Sequence, residues 1–150
     1  MYSKLNSAAV FGIEAFKVEI ETHLDTGLPA FNIVGLPDSA VKESRERVVS
    51  AIKNSEFIFP QKKITVNLAP ADIRKEGSAF DLPVAIGILS AMGIIEVDSL
   101  ADAMILGELS LEGRLRNIHG ALSIALEAKR NGFKRIILPL EKGFETALSG

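Results

Sequence analysis

The chain has 150 residues, 47% apolar and 24% charged, with a formal net charge of −2 and no cysteine. This composition fits one globular domain and indicates neither disorder nor a fibrous repeat, and the lack of cysteine excludes a disulfide framework and a thiolate metal site. It holds no apolar run of the roughly 20 residues that span a bilayer and no secretory signal pattern, and the charge excludes a globally basic nucleic-acid binder. The expected compartment is the cytoplasm.

Residues 16–24, Phe-Lys-Val-Glu-Ile-Glu-Thr-His-Leu, alternate apolar and polar side chains. That period predicts a half-buried strand with one wet face. Residues 7–13 read as another strand of the same meander. Asp25-Thr26-Gly27-Leu28-Pro29 is a turn, and Ala30–Val34 is a further strand ended by Gly35. Pro37-Asp38-Ser39 opens a helix that runs to about Asn54, with Asp38 or Ser39 as its cap. Val41, Ser44, Val48, Ala51 and Ile52 form its buried stripe, while Lys42, Glu43, Arg45, Glu46, Arg47 and Lys53 lie largely on the other side.

Lys63–Ala69 reads as a strand, and residues 82–92 as a central helix that is apolar nearly all round. Residues 103–109 follow as a strand, Glu112-Gly113 as a hairpin-like turn and 114–117 as a short return strand. A helix over 118–131 closes at Gly132. Residues 134–139 form a last strand and 141–148 start one more helix. The order predicts an α+β sandwich with helices packed on one sheet face. Because the chain stops inside a helical pattern, residues 1–150 read as a single domain cut from a longer protein.

The local chemistry is sparse. Neither a phosphate-binding loop ending in Lys-Ser or Lys-Thr nor a Gly-x-Gly-x-x-Gly fingerprint occurs, so ATP binding by this chain alone is not expected. His23 and His119 share no ligand spacing, and no metal site is expected. Asp72, Glu76 and Asp81 are the one local carboxylate cluster. Ser78 follows Gly77 at a turn entering a helix, where a hydroxyl can be exposed and assisted by the helix dipole. The bland reading makes Ser78 and Asp81 capping residues. Pro83 biases Leu82 away from helical angles, which favours Asp81 as the cap.

Several strings together resemble the N-terminal domain of the magnesium-chelatase-like AAA+ ATPases, the YifB/ComM family. They are Gly27-Leu28-Pro29, Val34-Gly35-Leu36-Pro37, residues 41–48, residues 64–72, Lys75-Glu76-Gly77, Phe80-Asp81-Leu82-Pro83 and Gly107-Glu108-Leu109-Ser110. The resemblance implies the ribosomal-protein S-five, domain-two-like fold that Lon protease domains and the C-terminal domain of RadA share. In Lon a nucleophilic Ser follows a Lys-Asp-Gly-Pro run and a Lys follows an Ile-Gly-Gly-Leu run. Laid over this chain, those positions fall on Ala79 and Leu122. A methyl group cannot attack and an isobutyl group cannot take a proton, so the resemblance implies a domain without the catalytic dyad. Ser78, one residue away, is the remaining candidate nucleophile.

The resemblance further implies a central ATPase that uses ATP and Mg²⁺, a hexameric assembly, and work in DNA branch migration and recombination during natural transformation. Magnesium insertion into a porphyrin is not implied, since nothing suggests a tetrapyrrole site. The candidate DNA contacts are Lys62 and Lys63 before a strand, Arg74 and Lys75 in the motif turn, and Arg114 and Arg116 on the hairpin, with Lys42, Arg45 and Arg47 on the first helix. The alternatives are a Lon-like serine peptidase with a rearranged nucleophile and a purely structural domain that drives oligomerisation. A solvated face on which these cations pair with neighbouring Glu residues is the competing reading of each.

Overall fold

A computed structural model describes residues 1–139. The helix expected over 141–148 lies outside the described residues. Three strands open the chain: β1 (Tyr2–Phe11), β2 (Glu14–Asp25) and β3 (Ala30–Val34). Then come α1 (Ser39–Asn54), β4 (Lys63–Ala69), α2 (Asp81–Ala91), a 3₁₀ turn at Val97–Leu100 and β5 (Ala103–Ile105). The hairpin β6 (Glu108–Leu109) and β7 (Leu115–Arg116), α3 (Ala121–Arg130) and β8 (Arg135–Ile137) complete the described chain.

Six strands form one mixed sheet in the order β3-β4-β2-β1-β5-β8. The β1–β2 hairpin turns through Gly12-Ile13, with Phe11 opposite Glu14 and Gly12 at φ +64°. Such a two-residue loop with Gly first matches the right-handed strand twist. β2 pairs antiparallel with β4, whereas β3–β4, β1–β5 and β5–β8 are parallel.

Alternation along β1 and β2 decides which helix covers which face. Val18, Ile20, Leu24, Ile64, Val66 and Leu68 point to one face and pack against Val41, Val48 and Ile52 of α1 and Val84 and Ile88 of α2. α2 crosses β1 closely, since Ser3 Oγ donates to the Gly87 carbonyl at 2.7 Å. The expectation that all helices share one face is corrected here. Ile124 and Ala128 of α3 pack on Ala8, Ala15 and Met104, which alternate onto the opposite face. That face is apolar only at this end; Glu19, Glu21 and His23 keep the rest wet.

α1 has the predicted cap and stripe. Asp38 Oδ1 accepts from the Val41 N–H at 2.7 Å, and Val41, Ser44, Val48, Ala51 and Ile52 are the buried positions. α3 ends as expected at Gly132, whose φ is +75°. The Gly132 N–H bonds the Lys129 carbonyl and the Phe133 N–H bonds that of Ala128, which satisfies the last turn.

Candidate functional site

Residues 70–81, between β4 and α2, meet the β3–α1 loop and the start of the β6–β7 hairpin at one end of the sheet. Lys75 joins the first two. Its N–H donates to the Leu36 carbonyl and its own carbonyl accepts from the Asp38 N–H, both at 3.0 Å. The side chain is fully buried, and Nζ donates to the carbonyls of Gly35, at 2.8 Å, and Pro70. A buried ammonium needs such acceptors. Burial pushes the Lys75 amine below the usual lysine range, opposed by attraction to Asp72. Asp38 adds a second tie, since its Oδ2 accepts from the Gly77 N–H at 3.4 Å.

Gly35 is required where Lys75 docks. Its φ is +104°, and a Cβ there would sit 2.2 Å from the Leu68 carbonyl oxygen. Only glycine permits both the conformation and the approach.

Asp81 makes the second buried charge, and its role differs from the expected cap. The N-cap position of α2 is Phe80, with no side-chain cap bond. Neighbouring carbonyls serve the first turn instead: Leu82 N–H donates to Gly107 at 2.9 Å and Asp81 N–H to Ser78 at 3.3 Å. Pro83 has no N–H to satisfy. Asp81 is thereby free to turn inward. Its two oxygens accept from Arg47 Nε at 2.6 Å and Nη2 at 3.1 Å, and Oδ2 also accepts from the Leu109 N–H at 3.0 Å. The hydrogen bond to Asp81 raises the Arg47 guanidinium further above its ordinary value, against the opposing effect of burial. Asp81 therefore ties α1, α2 and β6 together.

Gly107 shapes the same junction. The expected strand over 103–109 is broken into β5 and β6 because Gly107 leaves the sheet, with its N–H on the Ala79 carbonyl at 2.8 Å. A Cβ there would lie 2.9 Å from Leu115 and 3.4 Å from Leu82. Glu108 is half-buried and faces Arg116 at 3.9 Å.

Between these ties opens a cleft of about 580 Å³. Ala8 and Val10 of β1, Asp38, Glu76, Gly77, Ser78, Ala79, Glu108, Asn117, Ile118 and His119 contribute to its lining. Ala79 thus stands in the cleft, whereas Leu122 lies 62% exposed on α3. Ser78 is half-buried in the cleft beside Ala79. Among the described residues, the ammonium of Lys75 is turned to backbone carbonyls and not to Ser78. No group of three or more His, Asp or Glu residues there is arranged to hold a metal ion.

The candidate DNA contacts separate. Lys75 leaves the set, because its head group is inside the protein. Arg47 leaves it as well, forked onto Asp81. Lys62 and Lys63 stand where β4 begins and Arg74 beyond its far end. Seven strand residues separate these by roughly 20 Å. Arg74 faces Glu76 at 3.5 Å, and on the hairpin Arg114 faces Glu112 at 3.6 Å. Such exposed pairs contribute little to stability and leave the cations available to a competing anion.

Sequence comparison decides the family. Residues 20–142 match the family described as "Subunit ChlI of Mg-chelatase". The chain is 46% identical over 144 residues to YifB of Salmonella typhimurium, covering 96% of this chain and 28% of that protein. It is 47% identical over 131 residues to the competence protein ComM of Haemophilus influenzae, covering 87% and 26%. This chain belongs to the YifB/ComM family of magnesium-chelatase-like proteins. A weaker likeness, 25% over 154 residues, joins this YifB/ComM-family chain to Lon protease 2 of Bacillus subtilis. The chain spans only about 28% of the YifB relative's length.

Several of the YifB/ComM strings map onto the junction just described, whereas Gly27-Leu28-Pro29 forms the β2–β3 turn at the other end of the sheet. Val34-Gly35-Leu36-Pro37 and Lys75-Glu76-Gly77 form the junction's first tie, and Asp81 and Gly107-Glu108 its second. Sequence reasoning missed Arg47 as the partner of Asp81. Its helical neighbours gave the only signal, an ordinary i,i+4 pairing with Glu43, which the structure shows at a distant 3.9 Å.

Proposed function

We propose that this chain is a single non-catalytic N-terminal domain of a longer AAA+ ATPase, serving assembly and DNA handling in a ring-shaped motor. The observation that carries the reading is the cleft at the α2 N-terminus. Ala79 lines it, and the Lon resemblance lays the nucleophile position on that methyl, while the Lys75 amine is bound by two carbonyls. Those charged residues hold loops together, which is what a scaffold requires. ATP and Mg²⁺ then belong to the ATPase portion, and the ring is a hexamer of identical cytoplasmic chains.

The name of the competence protein ComM supports DNA as the partner. The proposed process is branch migration and recombination during natural transformation. Arg114 and Arg116 project from an exposed hairpin, and six copies would multiply what each pair contributes. Phosphate contacts of this kind bind without sequence preference and weaken with salt. The test is DNA binding by the full-length protein across a salt series. Arg114→Glu with Arg116→Glu is expected to weaken binding at low salt and to flatten the log–log slope by about 1 for each phosphate no longer neutralised. Salt-insensitive binding, with a motor indifferent to these reversals, would remove DNA from the proposal and leave an oligomerisation domain.

A second reading, a rearranged serine peptidase, is favoured by one observation: Ser78 and His119 line the same cleft. Hydrolysis of an unfolded protein, abolished by Ser78→Ala, would establish it.

A further inference from the structure

We infer that the hairpin-tip end of the domain, where Phe11, Ile13, Ile73 and Leu122 are exposed, is the face on which the ATPase portion of the longer protein docks; this rests on the reading just given. Phe11 is 77% exposed and Ile13 90% at the β1–β2 turn, Leu122 is 62% and Leu126 52% exposed on α3, and Ile73 is 40% exposed. These side chains cluster around the β1–β2 tip, Phe11 and Ile73 on one side of the sheet and the first turns of α3 on the other. Ser123 Oγ donates to the Ile13 carbonyl at 2.9 Å, which sets the first turn of α3 against the tip. Phe11 and Ile73 line a common groove of about 330 Å³ together with Phe16 and Arg74. Large apolar side chains exposed together at one end of a domain, rimmed here by Glu14, Arg74 and Glu76, mark an interaction site. The tip is paired up to Phe11–Glu14, and α3 is hydrogen-bonded to it.

The course of the chain identifies the occupant. β5 and β8 run parallel to β1, so β8 leads the polypeptide toward the end where the β1–β2 tip lies. The Leu106 N–H bonds the Ile137 carbonyl at 2.9 Å, placing that exit beside the cleft. Most of the length of the relatives lies outside the aligned region, which is 28% of YifB. β8 thus ends on the side of the sheet that carries the β1–β2 tip, and tethering a segment near a surface raises its effective concentration there. Ile58, 82% exposed, follows the C-terminus of α1, at the opposite end of the sheet.

Crosslinking in the full-length protein tests this. The described domain has no native cysteine, so Ile13→Cys, Leu122→Cys and Ile58→Cys each carry one benzophenone maleimide in it. After irradiation, crosslinked peptides are identified by mass spectrometry. The expected result is crosslinks from positions 13 and 122 into the ATPase portion, at yields at least tenfold above position 58. Equal yields, or crosslinks into residues 1–139 of another copy, would overturn the assignment of this face. A purified full-length protein that hydrolyses no ATP would instead overturn the functional reading beneath it, whatever the crosslinks.

Discussion

Replacing Asp81 with Ala removes the partner of Arg47 and the acceptor of the Leu109 N–H in one step. Asp81 is fully buried and the Arg47 side chain only 22% exposed, so solvent screens the pair weakly. Removing one member of a buried pair costs about 3–5 kcal/mol. Part of that, about 1–3 kcal/mol, is the Leu109 N–H left without an acceptor in a residue 5% exposed. For a domain of this size the whole loss lowers Tm by roughly 6–20 °C. Urea and thermal unfolding of Asp81→Ala, Arg47→Met and the double variant complete a cycle that isolates the pair. Coupling of about 2 kcal/mol is expected, since contacting residues in one network are not additive. If Asp81→Ala costs under about 1 kcal/mol, or the two changes simply add, Asp81 is not the joint between α1, α2 and β6.

Gly35→Ala is expected to cost about 3 kcal/mol or more, since backbone strain of about 1–3 kcal/mol adds to a clash with the Leu68 carbonyl. Gly132→Ala, at φ +75° with nothing within 4 Å, should cost only about 1–2 kcal/mol; equal losses in the two melts would contradict this account of Gly35. Lys75 gives a pH signature. Its folded amine loses its proton below the ordinary 10.5, so between that depressed value and 10.5 the unfolded chain holds more protons and stability rises with pH. Lys75→Met should remove that rise from unfolding free energies measured across the window; a parallel pair of curves would show Lys75 to be solvated.

Most regular elements are legible because local pattern suffices for them, although the strand expected over residues 7–13 is Tyr2–Phe11, since the chain turns at Gly12-Ile13. Asp38 and the stripe from Val41 to Ile52 specify α1, and the alternation in residues 16–24 specifies the core of β2. What stays hidden depends on contacts distant in sequence. Asp81 reads as a cap because nothing local shows that the Gly107 carbonyl takes over that task. Lys75 looks like any cation in a charged turn until Gly35 and Pro70 surround it. The 103–109 strand breaks at Gly107 for a reason that lies in the motif turn. The placement of α3 follows from Ala8, Ala15 and Met104, small or flexible side chains that open a second apolar face. The cleft is legible in part: Ser78 and Ala79 do line it, whereas Leu122 is exposed on α3.

The central question is whether the cleft at the α2 N-terminus holds a working nucleophile. Treating the folded chain with a serine-reactive fluorophosphonate and recording its intact mass addresses this directly. An unmodified mass at all reagent concentrations that label a Lon-type control is the predicted result. A stoichiometric adduct that maps to Ser78 and disappears in Ser78→Ala would contradict it.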